Sequence, residues 1–367
     1  MKLTCSRKDL AEAVTAAAAA ASARSAQRVL QSLKLEASKD HLRILGCDGE
    51  MWIERSIPTM VEEDGAVCVE AAHFSSIVSS LPEGEIHLDA SESRQLRLTA
   101  SGSEYRMPTY DAEDFPEVAS FGGEAELTLT LGELKEATES VSFAVSNDAY
   151  RQLLTGVLMS YDGQTLTLVA TDTHRLAVRK IEREGIGKEV NAVVPEKMLR
   201  AVRNLPVAND SSVTLKFGEN RVGVESPTAR VVSQLLIGTY PNWQRVVPSE
   251  STRTWKVEVG ELQDRVKRAL IVAKDNASRI RFKGEGDTVL ISARSEDRGD
   301  AREELMMVAD NGDIEIAFNG KFVLDALGPI GGAGVRVEMT EATRPAVFSP
   351  ADPEKDYRCV IMPMATG

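Results

Sequence analysis

Asp172, His174 and Arg175 are the side chains of this sequence whose types and spacing could do chemistry. They follow the alternating run Leu-Thr-Leu-Val-Ala-Thr, and an acid beside a histidine can serve as a base with its orienter. A hydrolase-like enzyme using Asp172 and His174 would also need a nucleophile, a metal cluster or a Gly-rich phosphate loop. None accompanies them. Matching places at Asp48 and Glu296 keep the acid without the histidine, which fits a structural turn. The other chemically able group is apolar. Val360, Ile361, Met362, Pro363 and Met364 place two adaptable methionines at the end of the chain. From sequence alone, these residues read equally as a ligand surface or as a final edge strand packed into its own domain.

The elements that position these residues recur. Asp48, Asp172 and Glu296 each close a strand-like run, and successive members lie 124 residues apart. Phe74, Met198 and Phe322 are spaced by the same 124 residues, each inside a short helix-like segment. Leu10, Leu134 and Leu262 anchor an earlier helix at spacings of 124 and 128. Each unit reads strand, helix, three strands, helix, three strands, with roughly six to eight strands by periodicity. A period of 124 exceeds the ~20–50 residues of solenoid repeats and suits an independently folding domain. The expected domains are 1–122, 123–249 and 250–367. Residues 114–126 and 247–252 carry Pro, Gly and Ser and read as linkers. The two helices are the only cover for each unit's sheet, and edge strands of neighbouring units can pair to hide their edges.

Composition narrows the class. The 367 residues exceed one hydrophobic core, and 43% hydrophobic with 27% charged residues is ordinary for a soluble globular protein. Four scattered cysteines with no Cys-x-x-Cys pair argue against a disulfide framework or zinc site and for a reducing cytoplasm. No run approaches the ~20 apolar residues that span a bilayer, so no membrane role is expected. The alanine-rich run 15–23 reads as the end of a first helix, not a leader, because Asp9 and Glu12 interrupt the stretch before it. A net charge of −13 opposes nucleic-acid binding by counterion release. A triplicated structural or adhesion protein is a further rival, disfavoured by the cysteine usage and the missing signal sequence.

Four segments in this order resemble one family. They are Ala-Thr-Asp-Thr-His-Arg-Leu-Ala-Val from Ala170, Thr-Tyr-Pro-Asn-Trp-Gln-Arg-Val-Val-Pro from Thr239, Phe318-Asn319, and the terminal Val-Ile-Met-Pro-Met. Over its whole length the chain is similar to the bacterial DNA polymerase III beta subunit, the replicative sliding clamp. The resemblance implies an α+β fold of three tandem two-helix, multi-strand clamp domains that form a ring as a head-to-tail homodimer. It implies a cytoplasmic, nucleoid-associated processivity factor without catalytic residues, cofactor or metal. Implied partners are double-stranded DNA, held topologically and without sequence specificity, and a second copy of the chain. The polymerase III alpha subunit, the clamp loader, other polymerases and mismatch-repair proteins would dock through short linear motifs.

Twelve helices, each ~10 Å across, set a circle of axes ~38 Å in diameter and leave a lumen of roughly 28 Å, enough for a duplex. A closed ring also removes the charge objection, since topology rather than phosphate contact retains it. The resemblance assigns Arg24, His73, Lys197, Arg200, Arg203, Arg265 and Lys267 to the DNA-facing surface. These cations, together with Arg7, Lys8 and Arg268, are interspersed with acids. His73 stands where relatives often carry a firmer positive charge.

The resemblance also implies a groove that docks short peptides with apolar C-terminal residues. Carried over residue by residue, it comprises Leu154, Thr171, Thr173, His174, Arg175, Leu176, Pro241, Arg245, Val246, Asn319, Phe322 and Pro345, with Val360, Ile361, Met362, Pro363 and Met364. His174, Arg175 and Arg245 are expected at its rim, fixing the peptide's polar groups. Thr173 replaces a glycine of many relatives, Ala277 replaces an aromatic of some, and Ala-Thr-Gly replaces the usual basic and apolar ending. For the dimer, the resemblance points to Tyr105 and Met107 facing Ile271 and Val272, a heterologous contact that closes after two copies.

Overall fold

In a computed structural model, the described residues are 1–92, 94–117, 122–273, 277–352 and 355–365. Three tandem repeats share one element order: strand, helix, five strands, helix, three strands. The helices are α1 (Arg7–Ala18), α2 (Ala71–Ser80), α3 (Leu131–Ser142), α4 (Glu196–Arg203), α5 (Val259–Ala273) and α6 (Gly320–Leu327). The three-copy α+β organisation expected from the period is what forms. The strand count is a correction: five strands, not three, separate the two helices of each repeat. Among those missed are the short, largely exposed strands Met60–Glu63, Ile186–Gly187 and Val308–Asp310, too brief to show alternation. The strands Gly65–Glu70, Val190–Pro195 and Ile314–Asn319 run straight into a helix, each ending on the residue at the helix's N-cap position.

Local chemistry explains where the helices begin and end. The Ser6 hydroxyl caps α1, and Leu10, Ala13, Val14 and Ala17 give it one buried face. The alanine run leaves the helix after Ala18 and turns at Ala19 and Ala20. The Glu70 carboxylate caps α2 by accepting from the Ala72 and His73 N–H groups. Asn319 caps α6, its Oδ1 accepting from the Lys321 N–H at 3.0 Å.

The chain divides into two compact units that do not follow the repeats. One comprises 1–135, 185–190 and 194–235, and the other 136–184, 191–193 and 236–367. The first unit carries a 14-stranded sheet, in which Met51–Pro58 of the first repeat pairs with Ala229–Gln234 of the second. Leu3, Leu10, Leu33, Leu35 and Phe74 belong to its core. Arg55, opposite Ala229, is buried there. Its guanidinium donates to the Thr228 and Pro206 carbonyl oxygens at 3.0 and 3.3 Å, and burial lowers its pKa. The second unit carries a nine-stranded sheet, in which Arg175–Glu182 of the second repeat pairs with Tyr357–Ile361 of the third. It also holds a four-stranded sheet edged by Gly299–Met306.

The expected linkers are more structured than their composition suggests. Phe115 is buried with Leu45 and Trp52, the strand Ala125–Thr130 begins inside the first linker, and 118–121 lie outside the described residues. In the second, Val247 packs on an apolar cluster.

Candidate functional site

The turn 171–175 joins the strands Thr165–Thr171 and Arg175–Glu182 within the second unit. Asp172 builds it, its Oδ1 accepting from the His174 and Arg175 backbone N–H groups at 2.9 and 3.0 Å. Asp48 makes the same two bonds in the first repeat, to Glu50 and Met51 at 2.9 and 2.7 Å. The acid therefore serves the turn. Thr173 is held at φ 79°, a left-handed conformation that a β-branched residue rarely adopts. Its Oγ1 accepts from Arg151 Nη1 at 3.0 Å.

Arg175 departs from the expected rim role, because its guanidinium is used inside the protein. The side chain is only 10% exposed. Nε donates to Asp172 at 3.1 Å, one Nη pairs with Asp325, and the other donates to the Phe143 carbonyl oxygen. Its central carbon lies 4.3 Å from the Phe322 ring centroid and 5.2 Å from that of Phe143. His174 is exposed, and its ring stacks on Phe322 at 6.5 Å. Phe322 itself breaks the repeat. Phe74 and Met198 are fully buried, whereas Phe322 is half-buried and lies against the Arg175 guanidinium and the His174 ring.

The terminal segment differs from the alternatives read in the sequence. Tyr357–Ile361 is an interior strand, flanked by Arg175–Glu182 and Ala346–Pro350. Val360, Ile361, Leu176 and Leu154 are all buried, so they build the floor from within. Burial also pushes the Cys359 thiol up to about 12. Past the buried Val360 and Ile361 the chain comes to the surface at Met362, which is 40% exposed. The Met362 N–H donates to the His174 carbonyl oxygen at 2.9 Å, and the Met364 N–H to that of Ala317 at 2.8 Å. Pro363 and Met364 are half-buried.

Residues 236–247 supply the cover. Leu236, Tyr240, Trp243 and Val247, with Leu153, pack on a buried cluster that includes Leu176, Val347 and Val360. Burial pushes the Tyr240 phenol above its ordinary value. Two cavities flank this cover. One of about 590 Å³ is lined by Val247, Pro345 and Val347, and one of about 680 Å³ by Tyr240, Pro241 and Trp243. Arg245 and Val246 are exposed at the end of the turn Trp243–Arg245. Thr171 is half-buried and donates its hydroxyl to the Arg175 carbonyl oxygen at 2.7 Å. Ala277, in the third repeat, is exposed at φ 49°. Such a surface can hold apolar side chains beside a few polar anchors. Among the described residues, no group of three or more His, Cys, Asp or Glu could hold a metal. No helix of the described residues is long and apolar enough to cross a membrane. Sequence reasoning missed Asp325, although it lies one helical turn after Phe322 and so shares its face.

The cations expected to face DNA are mostly tied to acids. Lys197 pairs with Asp48, Arg203 with Glu196, Arg265 with Glu261 and Glu303, and Lys267 with Asp264. Arg24, His73 and Arg200 are exposed. Of the expected dimer residues, Ile271 is 67% exposed and Val272 half-buried, while Tyr105 is half-buried against its own core. Met107 is 3% exposed within that core, so it serves its own domain.

Three tandem two-helix modules whose sheets run on from one repeat to the next define the sliding-clamp class of protein. The profiles of the DNA polymerase III beta subunit match end to end: the N-terminal domain over residues 1–119, the central domain over 128–242 and the C-terminal domain over 244–365. The chain belongs to the DNA polymerase III beta subunit family. It is 28% identical over 357 residues to the beta sliding clamp of Staphylococcus aureus, covering 95% of this chain and 94% of that protein. The DNA polymerase sliding clamp of Bacillus subtilis is similar in structure, with a TM-score of 0.94, 26% identity and full coverage of both chains. The sliding clamp of Pseudomonas aeruginosa, solved bound to griselimycin, has a TM-score of 0.93 at 27% identity, covering 100% of this chain and 99% of that one. Family membership makes this chain a DNA sliding clamp, a processivity factor and not an enzyme.

Proposed function

We propose that this clamp closes as a head-to-tail homodimer around duplex DNA, with domains at 1–122, 123–249 and 250–367, and tethers partners at the surface around His174, Phe322 and Met362. The observation that carries this reading is the way the repeats join. Met51–Pro58 and Arg175–Glu182 occupy the same place in repeats one and two, and each pairs with the last strand of the next repeat. Arg55 lies opposite Ala229, and Arg179 opposite Tyr357. The matching strand of repeat three, Gly299–Met306, ends its sheet. The matching last strand of repeat one, Ser103–Tyr110, pairs on its second side, among the described residues, through Thr109 and Tyr110 alone. One free edge of each kind supports a third junction, made with a second copy. Steps of 124 residues put Glu303 where Arg55 and Arg179 stand and Tyr105 where Ala229 stands, while Tyr357, 128 residues past Ala229, takes the same place by its pairing opposite Arg179. In that register, Tyr105 of the second copy lies opposite Glu303. Ile271, exposed on α5, adds apolar area beside it.

For partners, the surface suits a short peptide with apolar C-terminal residues. Met362 and Phe322 give adaptable apolar contacts, with His174 and Arg245 as polar anchors. The polymerase III alpha subunit, the clamp loader, other polymerases and mismatch-repair proteins are the proposed users, in a bacterial cytoplasm at the nucleoid. Arg24, His73 and Arg200, with the acid-paired Lys197, Arg203, Arg265 and Lys267, give the DNA-facing side a weak field. That suits sliding better than tight phosphate contact. Light scattering tests the dimer: a mass near twice 39.9 kDa is expected, and a monomer at micromolar concentration would refute it.

A further inference from the structure

We propose that Asp325 is a positioning residue for partner binding, acting through Arg175 as a latch that fixes the shape of the peptide surface. The proposal rests on the peptide-docking reading above. Arg175 gathers three separate pieces of the second unit. Asp172 holds it from the turn, the Phe143 carbonyl oxygen from the residue just past α3, and Asp325 from α6. The first two contacts orient the guanidinium. Asp325 adds an ion pair that ties it to the helix that carries Phe322. Arg175 thus sits near two aromatic rings, 4.3 Å from the centroid of Phe322 and 5.2 Å from that of Phe143.

The consequences run outward to the surface. Phe322 has Arg175 and His174 as neighbours, and His174 accepts the Met362 N–H through its carbonyl oxygen. The three side chains offered to a peptide, His174, Phe322 and Met362, therefore depend on one ion pair for their relative placement. The turn is also held against its own preference, since Thr173 sits at φ 79°. A strained turn needs surrounding contacts that over-determine it. The Asp172 and Asp325 carboxylates on Arg175 provide them. Asp325 is 42% exposed whereas Arg175 is 10% exposed, so the carboxylate can be altered at the surface without opening the core.

Asp325→Asn keeps the shape and removes the charge; Arg175→Lys keeps the charge and removes the planar fork. The probe is a fluorescein-labelled peptide carrying the apolar C-terminal residues of the polymerase alpha subunit. Binding should weaken about tenfold in Asp325→Asn and about as much in Arg175→Lys, and the double variant should be little worse than either, since both remove one interaction. A 19F label on Phe322 in the free protein should shift in both variants, which a direct Asp325–peptide contact would not produce. Unchanged affinity with an unmoved 19F line in Asp325→Asn would overturn the latch while leaving the peptide site in place. Fully additive losses would overturn it too. If the unaltered protein fails to bind the peptide, the docking reading falls first and the latch falls with it.

Discussion

The backbone N–H of Met362 donates to the carbonyl oxygen of His174 at 2.9 Å, joining the C-terminal segment of repeat three to the turn of repeat two. It extends the pairing of Arg175–Glu182 with Tyr357–Ile361 by one bond, at the point where the chain leaves the sheet. Val360 and Ile361 are buried in the sheet, whereas Met362, the next residue, is 40% exposed.

That division predicts two different truncations. Removing 362–367 should leave a folded protein that unfolds cooperatively but binds the alpha-subunit peptide at least about tenfold more weakly, as expected when anchor side chains are lost. Removing 360–367 also strips Val360 and Ile361 from the interior, at a cost of roughly 2–5 kcal/mol for each buried side chain lost. Thermal unfolding of the two proteins, alongside fluorescence polarisation, distinguishes them. Equal stability would place the boundary elsewhere.

Thr173 tests the strain in the turn. Thr173→Gly relieves a left-handed residue but loses the Arg151 hydrogen bond and loosens the unfolded chain. The net change should lie between zero and a gain of about 1 kcal/mol. Thr173→Val keeps the strain and loses the hydrogen bond, so it should destabilise by about 1 kcal/mol. Urea unfolding gives both values, and a Gly variant less stable than the Val variant would contradict them.

The paired cations predict weak salt dependence. With Lys197, Arg203, Arg265 and Lys267 tied to acids, binding to a short linear duplex should show a log–log salt slope no steeper than about −2. Asp48→Asn releases Lys197 and keeps the turn's acceptor, so the slope should steepen by roughly 0.9. Fluorescence titrations over a salt series measure it. A steep slope in the unaltered protein would mean that phosphate contact carries the binding.

The four thiols give a pH signature. Burial pushes Cys5, Cys68 and Cys359 up to about 12 and Cys47 to about 11, so all four stay neutral in the folded state well above pH 9. The unfolded chain ionises its thiols first as pH rises, so it holds fewer protons than the fold between about pH 9 and 12, and stability falls across that window. Below it the contribution is complete. Native protein at pH 8 should resist thiol reagents and yield four reactive cysteines only on denaturation. Rapid native labelling would contradict the burial.

Much of this was legible in the sequence because a 124-residue period repeats both the hydrophobic pattern and the polar turn. Leu10 and Leu134 announced their helices, and Asp48 and Asp172 their turns, since each acts on its near neighbours. What stayed hidden depends on distant partners. Arg175 reads as a surface cation until Asp325, 150 residues on, is brought beside it. Val360 reads as a free apolar terminus until Leu176 and Val347 flank it across the sheet. The short strands went unseen because too few residues alternate within them.

Retention on DNA is the most direct test of a clamp that works by encirclement. Protein loaded on nicked circular DNA should remain bound through gel filtration at moderate salt and be lost when a single restriction cut linearises the circle. Equal retention on circular and linear DNA would contradict topological sliding.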